Sequence, residues 1–406
     1  MNYRRLIGCR ICSKPIRLLL DLGEQPLANA LRDQPTDPMP KYPLEFCVCD
    51  ACKLCQLSIA VDKEVLFGEY FYESTKSKEL SDHYYWIRDR LSKRFELDEK
   101  NAFVIEIGSN TGDFLRSIEA REKLGVEPAE NIAKIARERG VQTICDFFSR
   151  AVSCSILKQF GKADFVVARH CLAHVDDIHE IVAGVARILS RNGVFLIENA
   201  YVMDTFQAAQ WDQIYHEHMS YLSLTPMTEL LAQHGLRVAH VGYSSVHGGS
   251  ILIFATPKDS RWSESTSVMS TLMQEEKYFK LNELEWFVKA SLRNIAEISA
   301  IVFSLREIGK TVDTFGASAK GNTLINRCGL GAQIRYAVDG STLKQGKYLP
   351  VSGSVRIVGK DIMESDPADY CLMTAWNYAR EILKEQKAYR DRGGRFIVPT
   401  TTIRIE

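Results

Sequence analysis

Ala102-Phe103-Val104-Ile105-Glu106-Ile107-Gly108-Ser109-Asn110-Thr111-Gly112 carries an apolar run of strand length directly into a turn of small and polar residues. A run of that kind, closed by glycine, reads as a strand buried on both faces. Lys123 to Val126, Phe165 to Ala168 and Gly193 to Glu198 repeat the strand pattern, with helical stretches between them. The alternation predicts a parallel sheet covered by helices, an α/β fold. Upstream, Lys76 to Glu99 reads as helical, and the first 65 or so residues, rich in Cys, Pro and short apolar runs, read as a small loop-rich module. Downstream, Glu264 to Lys310 is a charge-laced helical stretch without proline. A second α/β unit follows: Thr311 to Phe315 as strand, Gly316 to Gly321 as tight loop, Asn322 to Cys328 as helix and Ile334 to Val338 as the next strand. The resulting division is 1–65, 66–260, 261–310 and 311–406.

Composition narrows the function. Lys plus Arg and Asp plus Glu are both 51, so the chain has no general electrostatic pull toward nucleic acid. The basic start lacks the apolar core of a signal peptide, and no later run is long enough to span a bilayer, which implies a cytoplasmic protein. Eleven cysteines in a reducing compartment point to metal ligation rather than disulfides, and six of them fall within the first 55 residues. Cys145, Cys154, Cys171, Cys328 and Cys371 sit in apolar surroundings and read as core. Cys9-Arg10-Ile11-Cys12 and Cys52-Lys53-Leu54-Cys55 are two CxxC knuckles whose four thiolates can close a structural zinc site. Cys47 and Cys49 leave the choice of ligands open at this point.

The turn after Ile107 supplies the cofactor argument. Gly108 and Gly112 let the backbone approach a nucleotide, with Glu106 and Asn110 beside them, and Glu127 ends the next strand 19 residues after Gly108. An acidic residue at about that distance can take both hydroxyls of a ribose. The turn lacks the GxGxxG pyrophosphate cradle, which favours S-adenosylmethionine over NAD. Asp146 could accept an adenine amino group, with Phe147 and Phe148 stacking nearby.

Three further stretches are candidates for substrate chemistry. Tyr215-His216-Glu217-His218 lies just beyond a strand, where open α/β sheets bind ligands, though a metal fragment or a plain polar loop would read the same way. Val246-His247-Gly248-Gly249-Ser250 is either a pocket wall or an edge turn. Ser318, Lys320 and Asn322 open a helix whose free N–H groups could receive a diphosphate.

Taken in order, these segments resemble the sugar C-methyltransferase family that builds branched-chain deoxysugars on nucleotide carriers. Its most specific pieces here are Leu22 to Asn29, Tyr70 to Ser77 with His83, Tyr215 to His218, Val246 to Ser250, Gly316 to Asn322 and Lys344 to Pro350. The resemblance implies a Rossmann-like methyltransferase domain between an N-terminal zinc-binding module and a second, C-terminal Rossmann-like α/β domain that binds the nucleotide-sugar. It also implies Cys9, Cys12, Cys52 and Cys55 as zinc ligands, with Tyr70, Ser74, His170, His174, His247, Ser318, Lys320, Asn322 and Lys347 facing substrate. Similar proteins usually carry two Asn where this chain has Arg169-His170, beside the reaction centre.

Forming a carbon–carbon bond from a methyl donor requires a carbon nucleophile, which a sugar provides once an adjacent ketone acidifies its C–H. On this reading C3 of a nucleotide-linked 4-keto-deoxysugar is methylated through an enolate. His218 is the expected base, Glu217 orients it or shares the proton, and Tyr215 or Tyr72 donates to the enolate oxygen. The competing readings are O- or N-methylation of a small metabolite and, in another class, a zinc-ribbon nucleic-acid-binding or RNA-modifying protein. The neutral charge opposes the latter, and a monomer is the favoured state.

Overall fold

The computed structural model describes residues 2–62, 65–66, 78–98 and 100–406, with the side chains of Lys78, Glu79, His247 and Leu281 left out. The expected site residues Tyr70, Tyr72 and Ser74 therefore lie outside the described residues.

The N-terminal module is more sheet than loop. Strands β1 (Tyr3–Arg5), β2 (Ile16–Pro26), β3 (Lys41–Cys49), β4 (Cys55–Leu57) and β5 (Ile59–Val61) form it. β1 pairs with β5, while β2, β3 and β4 run antiparallel side by side. The short apolar runs read as loop are strand segments broken by irregularities in the β2–β3 register, at Leu18/Leu20 and Asp21/Glu24, which blur the period-2 pattern.

The central domain follows the predicted alternation. After the helix Lys78–Phe95 come β6 (Phe103–Ile107), β7 (Glu122–Val126), β8 (Thr143–Ile144), β9 (Ala163–Arg169) and β10 (Leu189–Ala200). Every residue of β6 is buried, as its unbroken apolar run requires. Two of the helices between the strands begin at a side-chain cap: Ser149 Oγ accepts from Val152 N–H and the Asp177 carboxylate from Glu180 N–H. The two-residue strand β11 (Ser220–Tyr221) leaves this domain to join the N-terminal sheet beside β4. β12 (Leu236–Ser244) and β13 (Ser250–Pro257) close the central sheet, whose order is β12-β13-β10-β9-β6-β7-β8. β13 runs antiparallel to β10 and the five strands β6 to β10 are parallel. Strand order reverses between β6 and β9, which opens a crevice at their carboxyl ends.

The helical stretch is two helices, Thr266–Tyr278 and Leu281–Glu307, broken where Lys280 turns extended. The last domain holds β14 (Val312–Phe315), β15 (Tyr336–Val338), β16 (Arg356–Val358), β17 (Tyr370–Met373), β18 (Arg395–Val398) and β19 (Arg404–Ile405). Their order is β16-β15-β14-β17-β18-β19, all parallel except β19. Its first helix spans Ala319–Arg327, starting three residues ahead of expectation because Ser318 Oγ caps it by accepting from Gly321 N–H. No described helix is long and apolar enough to cross a membrane.

The three domains interlock. Arg32 of the N-terminal module and Tyr348 exchange both backbone hydrogen bonds, and the Arg32 guanidinium donates to the carbonyls of Leu349, Val351 and Gly353.

Candidate active site

A cavity of about 790 Å³ opens at the strand-order reversal. Its wall takes Gly108, Asn110, Glu127, Phe147, His170 and His174 from the central domain, and Arg4 and Ala60 to Asp62 from the N-terminal module. Glu127 directly follows β7, with its carboxylate already accepting from Asn110 N–H (2.9 Å) and Ala129 N–H (3.0 Å). Burial pushes its pKa up and those two N–H groups pull it back. Phe147, on the same wall, is 43% exposed. A carboxylate and a part-exposed aromatic side chain on one cavity suit the ribose and base of an adenosine-containing cofactor.

The other expected cofactor residues are placed differently. Gly108 sits at φ +65°, and a Cβ there would lie 2.8 Å from that of Cys171, so only glycine fits. Gly112, at φ +76°, is required by Val141, 2.8 Å from where its Cβ would be, and lies behind the wall. Asp146 is exposed and takes the Phe147 N–H (2.7 Å). Glu106 is also behind the wall, 1% exposed, with Arg169 Nε and Nη2 each 3.2 Å from its Oε1. Burial raises Glu106 to about 7 against the pull of Arg169.

Arg169 is the hub of a network that the sequence did not announce. Its guanidinium lies over the rings of Tyr84 and Phe114 and reaches Glu198 Oε2 at 3.9 Å. Glu198 Oε1 is 2.5 Å from His83 Nε2. The signal available was position: Glu106, Arg169 and Glu198 all stand at the carboxyl ends of adjacent strands. His170 is held at φ +50°, with its N–H on the Glu198 carbonyl.

Behind His174 and Met219 of the cavity wall, and not itself lining the cavity, the Tyr215 to His218 turn brings two of the expected catalytic groups into contact. Tyr215 Oη is 2.7 Å from His218 Nε2, and His218 Nδ1 is 3.1 Å from the Gln213 carbonyl. A carbonyl can only accept, so Nδ1 carries the proton and Nε2 presents its lone pair to the tyrosine hydroxyl. The His174 ring is 5.0 Å from that of His218, and its Nδ1 donates to the Glu217 carbonyl (2.7 Å). Burial lowers the His174 pKa, while hydrogen bonds to the Glu217 and His170 backbones pull it back up.

Glu217 does not orient His218 as expected; the Gln213 carbonyl does. The Glu217 carboxylate instead accepts from Asn29 N–H (3.2 Å) and Nδ2 (3.0 Å), and burial raises its pKa. His216 points away, with Nε2 on the Pro43 carbonyl (3.2 Å).

In the C-terminal domain, Lys320 Nζ bonds Asn377 Oδ1 (2.6 Å) and lies 4.1 Å above the Trp376 ring. Burial lowers its pKa to about 8 while Asp212 opposes the shift. Trp376 Nε1 donates to Asp212 (2.6 Å), tying this corner to the turn that precedes Tyr215. Asn322 Nδ2 donates to the Ala28 carbonyl (2.7 Å), and Lys347 pairs with Asp33 (2.6 Å).

The metal centre needs one correction. Cys9, Cys12, Cys49 and Cys52 bring their sulfurs within 4.8 Å of one another, with Cys9 to Cys52 at 3.3 Å and Cys12 to Cys49 at 3.5 Å. Those spacings fit a tetrahedron of bonds about 2.3 Å long around zinc. The two knuckles are alike: Ser13 and Lys53 each donate to the carbonyl of the first cysteine, and each takes a left-handed φ, 59° and 69°. Cys55 is excluded because it already belongs to β4, paired with Val48, past the turn.

Comparison with known proteins gives three family models in chain order: a zinc binding domain over 9–67, a methyltransferase domain over 80–241 and a C-methyltransferase C-terminal domain over 245–400. The C-methyltransferase NovU of Streptomyces niveus is 36% identical over 410 residues, covering 99% of this chain and 97% of that protein. Among solved structures, magnesium protoporphyrin IX methyltransferase from Synechocystis PCC 6803 with bound SAH is 13% identical. It covers 44% of this chain and 84% of its own, with a TM-score of 0.35. An S-adenosylmethionine-dependent methyltransferase from Clostridium acetobutylicum is 12% identical, covering 48% and 95%, with a TM-score of 0.34.

Proposed function

The chain belongs to the S-adenosylmethionine-dependent C-methyltransferases, the family of NovU, and from that premise we propose that it methylates C3, the carbon beside the ketone, of a nucleotide-linked 4-keto-deoxysugar through an enolate. The cofactor supplies an electrophilic methyl group. Glu127 fits its ribose hydroxyls, Phe147 its base, and the main chain from Gly108 to Asn110 lets it approach. Cys9, Cys12, Cys49 and Cys52 would hold zinc as a closed set of four thiolates, which leaves no coordination position for substrate and makes the metal structural.

The Tyr215–His218 contact carries the proposal. C-methylation needs a base for the C–H and a donor for the enolate oxygen, whereas O- or N-methylation needs no such donor. His218 Nε2 is the base, its lone pair fixed by the Gln213 carbonyl at Nδ1. The Tyr215 hydroxyl now donates to that nitrogen. When it turns to the ketone oxygen it frees the lone pair, which takes the C–H proton, and its hydrogen bond stabilises the enolate oxygen. His174, on the cavity wall beside the His218 ring, contributes a polar contact to the sugar.

The nucleotide is assigned to the C-terminal domain, where Ser318 and Lys320 open the helix Ala319–Arg327 above Trp376. Eleven cysteines, four of them gathered as a thiolate set for a metal, suit a reducing, cytoplasmic setting.

Solvent exchange tests the order of events. Enzyme and ketosugar in D₂O, with an inert S-adenosyl analogue present, exchange the C–H next to the ketone, and His218→Ala loses both exchange and methylation. Full methylation by His218→Ala would remove the base from this mechanism.

A further inference from the structure

The turn that carries the base is built on the N-terminal module. His216 Nε2 rests on the Pro43 carbonyl of β3, and the Glu217 carboxylate takes both N–H donors of Asn29. Leu57 N–H donates to the Met219 carbonyl (3.1 Å), and Ser220 and Tyr221 pair with Gln56 and Cys55 as β11 against β4. β4 begins three residues after Cys52, so the strand that carries β11 leaves directly from the metal knuckle. The same short stretch of the module reaches the third domain, through the Ala28 carbonyl that accepts from Asn322.

A strand of two residues cannot hold its own conformation, and a base is useful only when its geometry is kept to about half an ångström. Something outside the loop must fix it. Asn29 is singled out because Glu217 is buried, its second oxygen Oε2 has no hydrogen-bond partner, and the Asn29 pair is what holds the carboxylate.

We propose that the zinc module is the scaffold that positions the catalytic turn, with Asn29 as the positioning residue that fixes Glu217 beside His218. The metal then acts on the reaction at a distance, by holding the hairpin from which β4 and β11 hang. This rests on His218 being the base, so the test reads the turn both with substrate and without it.

Asn29→Asp keeps the shape but sets a carboxylate against Glu217, and Asn29→Ala removes the side-chain donor while keeping the backbone N–H. Each is purified with its zinc, and zinc content and Tm are compared with wild type. Steady-state kinetics give kcat and KM, calorimetry gives cofactor affinity, and the imidazole ¹⁵N resonance of His218, assigned with His218→Gln, reports on the ligand-free turn. The expected result is a loss of kcat on the order of 10- to 100-fold, with KM and cofactor affinity within about twofold of wild type. Zinc content is unchanged and the His218 resonance is displaced. An unmoved resonance with unchanged kcat in both variants overturns the proposal, as does a loss of kcat that appears only together with loss of zinc or of cofactor affinity. If the wild type turns over no ketosugar, the substrate reading fails, and the resonance alone decides: displaced, the scaffold stands; unmoved, it falls.

Discussion

Glu106 shows how burial and charge compete at a single position. Desolvation holds its pKa at about 7, well above the ordinary carboxylate range, with Arg169 pulling the other way. A raised pKa means that the folded state binds the proton more tightly than the unfolded one, so the resulting stabilisation is complete below the unfolded pKa and is lost as pH rises through about 7. Thermal unfolding followed from about pH 5 to 8 should therefore fall more steeply for wild type than for Glu106→Gln, which cannot ionise. Parallel profiles would contradict the assignment. At Glu127 the question is affinity. Glu127→Ala removes the charged acceptor for the ribose and should weaken cofactor binding by calorimetry, on the order of 10-fold or more, given that hydrogen bonds to charged groups contribute about 1.5–3 kcal/mol. Equal affinities would refute its role.

At the scale of elements, the zinc knuckles illustrate what a sequence can and cannot decide. The chain offers two overlapping CxxC frames, Cys49 to Cys52 and Cys52 to Cys55, and spacing alone does not choose between them. Strand register does. β3 runs out at Cys49 and β4 starts at Cys55, so the turn holds Cys49 and Cys52 while Cys55 is committed to the ladder opposite Val48. Metal analysis should accordingly find about one zinc per chain in wild type and in Cys55→Ser, and a loss of zinc and of the module's stability in Cys49→Ser, since metal binding is coupled to folding. Retention by Cys49→Ser with loss in Cys55→Ser would restore the other frame. The helix Ala319–Arg327 makes a separate claim. Lys320→Ala should raise KM for the sugar nucleotide with little change in cofactor affinity, and the reverse pattern would mean that the diphosphate binds elsewhere.

Over the whole molecule, legibility follows sequence distance. The parallel core was readable because each of its strands declares itself: Phe103 to Ile107 is apolar throughout, and Gly108 ends it. Glu127 and the Tyr215 to His218 cluster stood out as candidates for the same reason, as local patterns in a predictable place. What joins the domains was not. Asn29 meets Glu217 across 188 residues and Asn322 meets Ala28 across 294, and no local periodicity records such pairs. The expectation that Glu217 orients His218 failed on this point, because the carboxylate finds its partner in a different domain. Irregular register likewise hid the sheet of the N-terminal module. The three domains are in contact around the proposed site: a cavity walled by two of them, a turn of the central domain paired to the N-terminal sheet, and a third domain bonded to both. The claim on which all of this converges is transfer of the methyl group to carbon. Enzyme incubated with ¹³C-methyl-labelled S-adenosylmethionine and a nucleotide-linked 4-keto-deoxysugar, with the product read by NMR, should show the label as a methyl group correlated to ring carbon C3; label found on oxygen or nitrogen would contradict it.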